Sequence, residues 1–279
     1  PATPKRRYVN SIFYECLMKI ATWNVNSIKM RAEQVVAWLK STAVDVLVMQ
    51  ETKTTDDAFP ASLFEAAGYD VVFDGQKTYN GVAMAVKKGI AEVSRVTRGI
   101  PGYPDDQKRF IAADLTTQGD VVLTVAGVYV PNGQEVASAK YLYKLDWLAA
   151  LTRWARQATA DDRQVVVAGD FNIAPTDADV WNTTYWKDKI LVSVPERSAL
   201  TALKGAGLTD AWEIGLHAPD TFSWWDYRQS GFEKNHGLRI DLMLGSAPLL
   251  KRVTDVTIDT APRAAEKPSD HAPVVMTLL

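Results

Sequence analysis

The stretches Lys19-Ile20-Ala21-Thr22-Trp23-Asn24 and Val44-Asp45-Val46-Leu47-Val48-Met49-Gln50-Glu51 decide the fold class. Each is a short, valine-rich or isoleucine-containing apolar run that stops abruptly on polar side chains, the pattern of a buried strand. Between them Val35, Trp38 and Leu39 recur at helical spacing, so the chain opens strand, helix, strand, which is α/β order. Outward from this unit, the runs Gly81 to Val86, Val121 to Val130, Arg163 to Ala168 and Ile240 to Leu244 read as further strands, and Val274 to Leu278 as a closing one. Tyr141, Leu145, Leu148, Leu151 and Trp154 form a second, longer helical stripe. The Thr78-Tyr79-Asn80-Gly81 turn and the later succession of strands call for antiparallel connections, so the expected architecture is a layered α/β sandwich with mixed sheets. No linker, low-complexity segment or solenoid repeat divides residues 18–279, and a single domain is expected there. Residues 173 to 196 carry Trp181, Tyr185 and Trp186 with little periodicity and read as a surface loop or functional insertion.

At 279 residues and 47% hydrophobic the chain can bury a substantial core, which excludes a disordered protein. Its charges nearly cancel, to a formal −2, so no global basic field draws it to nucleic acid and any such contact must come from a local patch. The single cysteine, Cys16, excludes an intramolecular disulfide and thiolate metal clusters, and suits a reducing, cytoplasmic setting. No apolar stretch approaches the ~20 residues of a membrane span, so a soluble chain with no membrane partner is expected, and it is expected to be a monomer. Residues 1–17, with Lys5, Arg6 and Arg7 ahead of Ile12, Phe13 and Tyr14, read as an N-terminal extension upstream of Met18. It is expected to be disordered or left over from expression, with a basic DNA-binding arm as the alternative.

Polar side chains sit where apolar strands stop: Asn24 after Trp23, Glu51 after Gln50, and Asp170 with Asn172 after Ala168. Any one of them alone starts a turn or caps a helix; four at strand ends are a converging set of oxygens. Such oxygens are hard ligands, suited to Mg²⁺ or Mn²⁺ and poorly to zinc or copper, and a hard metal points to phosphate chemistry. Glu51 beside Lys53 past a buried strand is costly unless paired or ligating. In Gly169-Asp170-Phe171-Asn172 the carboxylate and amide at i and i+2 share one face, where Asp170 can orient or deprotonate water and Asn172 can donate to a phosphate oxygen. Asp241, in Gly237-Leu238-Arg239-Ile240-Asp241-Leu242-Met243-Leu244, is a strand carboxylate in apolar surroundings and needs a partner. His271, in Ser269-Asp270-His271-Ala272-Pro273, is the natural one: a carboxylate on one ring nitrogen favours imidazolium and leaves the other facing phosphate. His217 and His236 lack this setting and are expected in surface or loop roles. Walker, dinucleotide, HExxH and GxSxG patterns are absent, so P-loop and serine hydrolysis have no support.

Met18-Lys19-Ile20-Ala21-Thr22-Trp23-Asn24-Val25-Asn26, Gln50-Glu51-Thr52-Lys53, Gly169-Asp170-Phe171-Asn172-Ile173, Gly237-Leu238-Arg239-Ile240-Asp241 and Ser269-Asp270-His271-Ala272-Pro273 together resemble the exonuclease III family of abasic-site endonucleases. The motifs stand in the family's order and span Met18 to Leu279. The resemblance implies the endonuclease/exonuclease/phosphatase, deoxyribonuclease I-like fold, a four-layer sandwich of two mixed β-sheets flanked by helices. It also implies attack of water on DNA phosphodiesters that depends on Mg²⁺ or Mn²⁺. Glu51 and Asp270 then correspond to principal metal ligands, with Asn24 and Asn26 nearby and Asp170, Asn172 and His271 around the same centre. Asp170 matches the residue that activates water or protonates the leaving group, Asn172 the phosphate-binding amide, Asp241 with His271 the orienting pair, and Tyr129 the active-site tyrosine. By the residues alone Tyr129 is a strand aromatic.

Implied DNA contacts are Tyr79, Arg109, Asn132 and Arg228, the last wedging into the duplex from a loop. Trp224, Leu238 and Ile240 match positions that wall a pocket for an abasic sugar, and equally suit ordinary core. An apolar pocket admits a baseless deoxyribose and excludes a nucleotide that keeps its base. Trp186 and Leu191 can narrow it, which bears on the balance of abasic-site incision, 3′-end trimming and 3′-phosphatase activity. The implied partner is double-stranded DNA with abasic sites or processed 3′ ends. The rival readings are a same-fold enzyme acting on inositol phosphates or lipid headgroups, and a catalytically silent DNA-binding module.

Overall fold

In the computed structural model, which describes residues 17–279, the strand-helix-strand opening folds as β1 (Met18–Asn24), α1 (Ile28–Thr42) and β2 (Val46–Gln50). The expectations for the extension lie outside the described residues, Leu17 excepted. Next come α2 (Ala61–Ala66), β3 (Tyr69–Asp74), β4 (Val82–Lys87), β5 (Ala91–Arg98), β6 (Phe110–Thr117), β7 (Val122–Tyr129), α3 (Ala139–Ala158) and β8 (Gln164–Asp170). The last part holds α4 (Thr183–Trp186), α5 (Val194–Lys204), β9 (Leu208–Asp210), β10 (Trp224–Trp225), β11 (Gly237–Leu238), β12 (Asp241–Ser246), α6 (Ala247–Leu250), β13 (Val253–Ile258) and β14 (Val274–Leu278).

One six-stranded sheet runs β13-β14-β1-β2-β4-β3 and the other β5-β6-β7-β8-β12-β9. A helix long enough to cross over allows parallel pairing, and it occurs twice: β1 with β2 across α1, and β7 with β8 across α3. Among the described residues the remaining strand pairs are antiparallel. Val48, Met84, Val125, Val166 and Met276 fill the layer between the sheets. Val35, Trp38 and Leu39 of α1 cover one outer face, and Trp147, Leu148 and Leu151 of α3 cover the other. This is the expected four-layer order, helix, sheet, sheet, helix. The sheets approach closely at Gly127, where a Cβ would lie 2.1 Å from Val48 Cγ1. Among the described residues no helix is long and apolar enough to cross a membrane.

Several elements go beyond the sequence reading. Strands β3, β5 and β13 are sheet edges whose side chains are half exposed, so their hydrophobic alternation is weak. β6 is buried but rich in alanine, which carries little strand signal. Ile240 precedes β12 rather than starting it. Residues 173 to 196 are not surface loop throughout: they form a turn of 3₁₀ helix, α4 and the start of α5, and they bury Ala174, Val180 and Leu191. Ser193 and Glu196 cap α5 reciprocally, each side chain taking the other's backbone N–H.

Candidate active site

The parallel pairs bring the C-terminal ends of β1, β2, β7 and β8 to one rim. There Asn24 stands opposite Gln50 and Tyr129 opposite Asp170, while antiparallel β12 begins with Asp241 opposite Asp170. Positions far apart in sequence thus meet because strand register leaves no alternative. Asn24 Nδ2 donates to Glu51 Oε1 at 2.9 Å and Asp170 Oδ2 at 3.0 Å. His271 Nδ1 lies 2.8 Å from Asp241 Oδ2, and its Nε2 lies 3.7 Å from Asp170 Oδ2. Ligand atoms of Glu51, Asp170 and His271 all fall within 4.8 Å of one another.

Asp270 stands apart from that group. Its Oδ1 accepts from Asn26 Nδ2 at 2.9 Å and its Oδ2 from Trp224 Nε1 at 3.1 Å. Lys53 links the two halves, with its Nζ 2.8 Å from Glu51 Oε2 and donating to Asn26 Oδ1 at 2.6 Å. Asn172 is also turned inward: its Nδ2 donates to Val130 O at 3.1 Å and Asp170 Oδ2 at 3.2 Å, so a bond to phosphate needs one of these released. Asn26, Ser27, Glu51, Lys53 and Asn172 all have positive φ. Such strain in non-glycine residues costs free energy and concentrates where function holds the backbone in place.

Burial pushes the Asp170 carboxyl up to about 7; Asp241 and Glu51 add to the rise, while His271 and Asn24 oppose it. Burial disfavours the charged ring of His271, yet the carboxylates of Asp241 and Asp170 outweigh it and lift the ring to about 10. Burial, then Glu51 and Asp170, push the Tyr129 phenol well above its ordinary value, so it stays a hydrogen-bond donor. At neutral pH the site therefore sets an imidazolium beside a carboxylate poised near its titration point, the condition for general acid-base work.

Tyr79, Arg109, Asn132 and Tyr129 line one cavity of about 570 Å³ beside this rim. Tyr79 is open to solvent, whereas Arg109 is 9% exposed, doubly bonded to Gln107 Oε1 and 4.6 Å from the Tyr129 ring centroid. Its guanidinium is a wall of the cavity rather than a free arm. Arg228 pairs with Asp226 and its side chain is 84% exposed; with Trp224 it lines a second cavity of about 320 Å³. Leu238 and Ile240 are packed as core, against Ala174, Val180 and Leu191, with Trp186 and Trp224 at the border. His236 stacks on Trp181 and His217 on Trp212, outside the rim.

Several further side chains hold the site, none of them assigned a role there from sequence. Ser223 Oγ donates to Asp241 Oδ2 at 2.7 Å and accepts the backbone N–H of Ile240 and Asp241. Trp23 Nε1 donates to His271 O at 3.1 Å, and Ser269 Oγ to Asn24 O at 2.6 Å. Lys144 and Glu196 form a fully buried ion pair behind Asn172.

The sequence model of the endonuclease/exonuclease/phosphatase family matches residues 21–271. Exodeoxyribonuclease III of Haemophilus influenzae is 38% identical over 266 residues, which are 92% of this chain and 98% of that protein. The structure of a 3′-phosphatase from Neisseria bound to a product DNA hairpin aligns at TM-score 0.88 with 41% identity, covering 94% of this chain and 99% of that one. An AP endonuclease from Archaeoglobus fulgidus aligns at TM-score 0.87 with 37% identity, covering 94% and 99% respectively.

Proposed function

This chain belongs to the endonuclease/exonuclease/phosphatase family and is a nuclease of the exodeoxyribonuclease III type; from that premise we propose that it repairs DNA by hydrolysing phosphate esters 5′ to abasic sites and at 3′ ends. Its substrate is double-stranded DNA, and it acts as a monomer in the cytoplasm. The observation that carries the reading is the Asp241–His271–Asp170 chain, with Nδ1 2.8 Å from one carboxylate and Nε2 3.7 Å from the other, ending beside Glu51.

Asp170 takes a proton from the attacking water, whose oxygen bonds to phosphorus as the bond from phosphorus to the 3′ oxygen breaks, and that oxygen leaves as a 3′-hydroxyl with a proton from solvent. Asp241 fixes the ring of His271, whose Nε2–H steadies the charge that grows on the phosphate oxygens. Tyr129, kept protonated, and the Asn172 amide donate to the same group. The cofactor proposed is Mg²⁺, with Mn²⁺ able to replace it, held by Glu51 and Asp270 with Asn24, Asp170, Asn172 and His271 around it. The donors fit a hard divalent ion: carboxylates and amides crowd a partly buried rim, with Lys53 against Glu51 and His271 beside Asp170. When bound, the ion supplies charge neutralisation at the phosphate. Glu51 and Asp270, which would hold the ion, are joined through Lys53 and Asn26.

A second emphasis, 3′-end processing over internal incision, is favoured by one feature: Leu238 and Ile240 are buried against Leu191, which leaves little apolar surface open to an abasic sugar. Three labelled duplexes with Mg²⁺, carrying an internal abasic analogue, a recessed 3′ end or a 3′-phosphate, rank these activities. Chelation with EDTA is expected to abolish all three and added Mg²⁺ or Mn²⁺ to restore them. Cleavage undiminished in EDTA, or activity on a phosphoinositide with none on DNA, refutes the proposal.

A further inference from the structure

Behind the rim, Lys144 of α3 and Glu196 of α5 face each other with no solvent exposure on either side chain. An ion pair so placed gives up two hydration shells, and well-packed apolar residues of similar volume commonly serve stability as well or better. Stability alone therefore does not explain its presence, and the bonds it makes do. An ammonium has three donors, and all are used: Lys144 Nζ donates to Glu196 Oε1, to Asn172 O at 2.6 Å and to Asn132 O at 3.2 Å. Glu196 is engaged through both oxygens, accepting Leu191 N at 3.1 Å on Oε1 and Ser193 N at 3.1 Å on Oε2, with Ser193 Oγ also bonded to Oε2. Tyr141, on the same helix as Lys144, closes the network through its hydroxyl, 2.7 Å from Ser193 Oγ.

The carbonyls that Lys144 grips belong to two turns at the rim: Asn132 lines the cavity shared with Tyr129 and Arg109, and Asn172 donates to Asp170. Asn172 sits at φ 49, a left-handed conformation that asparagine adopts more readily than other side chains, and Asn132 Nδ2 donates to Asn172 Oδ1 at 3.1 Å. Glu196 grips the turn that delivers Leu191 into the apolar cluster with Leu238 and Ile240. Capping α5 explains the contact of Glu196 with Ser193, but it needs no lysine and reaches neither asparagine. We infer that Lys144 and Glu196 are positioning residues that lock the Asn172 and Asn132 turns to the Leu191 turn, holding the two amides at a set distance from the buried cluster of Leu191, Leu238 and Ile240. The inference rests on the nuclease reading. Loss of the pair lets the two sides drift by a fraction of an ångström, and misplacement on that scale costs about 10- to 100-fold in turnover.

The test is the double variant Lys144→Met/Glu196→Gln, which removes both charges at similar volume and leaves glutamine to cap α5. Steady-state kinetics on the 3′-phosphate and abasic duplexes are expected to show kcat down by about 10- to 100-fold with KM within about 2-fold, while the Tm stays close to that of the parent. The ¹H–¹⁵N signal of the Asn172 side-chain amide is expected to shift. Parental kcat with an unmoved Asn172 signal overturns the inference, since the pair is then structural only. If the double variant does not fold, Glu196→Gln alone is read by the same two measurements and the same criteria. If the parent cleaves none of the duplexes, the nuclease reading fails, and the Asn172 signal decides this inference by itself, a shift supporting it and none overturning it.

Discussion

Replacing Asp241 by asparagine keeps the shape of the side chain and removes the charge that governs His271. In the parent, Asp241 Oδ2 and Oδ1 lie 2.8 and 3.1 Å from Nδ1, and the ring titrates at about 10. At pH 7.5 that value leaves roughly 300 imidazolium rings for each neutral one. With the charge gone, burial still disfavours imidazolium and only Asp170, 3.7 Å away, opposes it strongly, so the ring falls toward its ordinary 6.5. At 6.5 roughly one ring in eleven is charged at pH 7.5, so protonation alone costs about tenfold in kcat. The amide also offers its N–H to Nδ1, which favours the wrong tautomer and deepens the loss. The sign follows from which form works: His271 is active below its pKa, so the variant loses rate as pH rises through about 6.5, where the parent holds its rate toward 10. Asp170, relieved of a neighbouring negative charge, titrates lower and stays ionised further into acid. The kcat profile on the 3′-phosphate duplex, taken from about pH 5.5 to 9.5 at fixed Mg²⁺, is expected to move its optimum to acid by about one to two units. A variant profile parallel to the parent's, merely lower at every pH, refutes the charge-governing role of Asp241.

Two further outcomes follow from buried charge. Asp170→Asn is expected to lose orders of magnitude in turnover while gaining stability in metal-free buffer at pH 8. The folded carboxyl titrates at about 7 against an ordinary 3.8, so its ionisation opposes folding above 7, and the gain fades as pH falls from 7 to 3.8. Urea midpoints for both proteins at pH 8 and pH 4 check this, and equal midpoints at pH 8 contradict it. Arg239 is buried between Asp179 and Asp210, at 2.6 and 2.8 Å, and joins the 3₁₀ turn before α4 to β9. Arg239→Met strands two buried carboxylates and is expected to cost about 3–5 kcal/mol in urea unfolding at pH 7, with most of the loss removed by acid. A loss under about 1 kcal/mol at pH 7 shows the pair to be dispensable.

Local sequence carries local burial, and that was enough for the opening β1–α1–β2 unit, for the α3 stripe and for the layered α/β class. Apolar runs that stop on Asn24, Glu51 and Asp170 announce strand ends, because a buried strand has few polar positions and those it keeps lie at its rim. The lone carboxylate of Asp241 in an apolar strand likewise asks for a partner, and His271 is near it in space. Other features depend on register and crossover, which no window of sequence contains. Edge strands β5 and β13 lack a clean alternation because only half of each is covered. Asp270, beside His271 in the chain, is turned to Asn26 and Trp224 instead of joining Glu51 and Asp170, since successive side chains around a strand end point to opposite sides. Leu238 and Ile240 became core once residues 173 to 196 folded over them, and Lys144 met Glu196 only when α3 and α5 packed together. Sequence by itself determined which residues had to be buried and which polar groups would punctuate them. Tertiary structure decided which of those groups touch, because contacts across 30 or 50 residues are set by the packing of whole elements rather than by the pattern within any one.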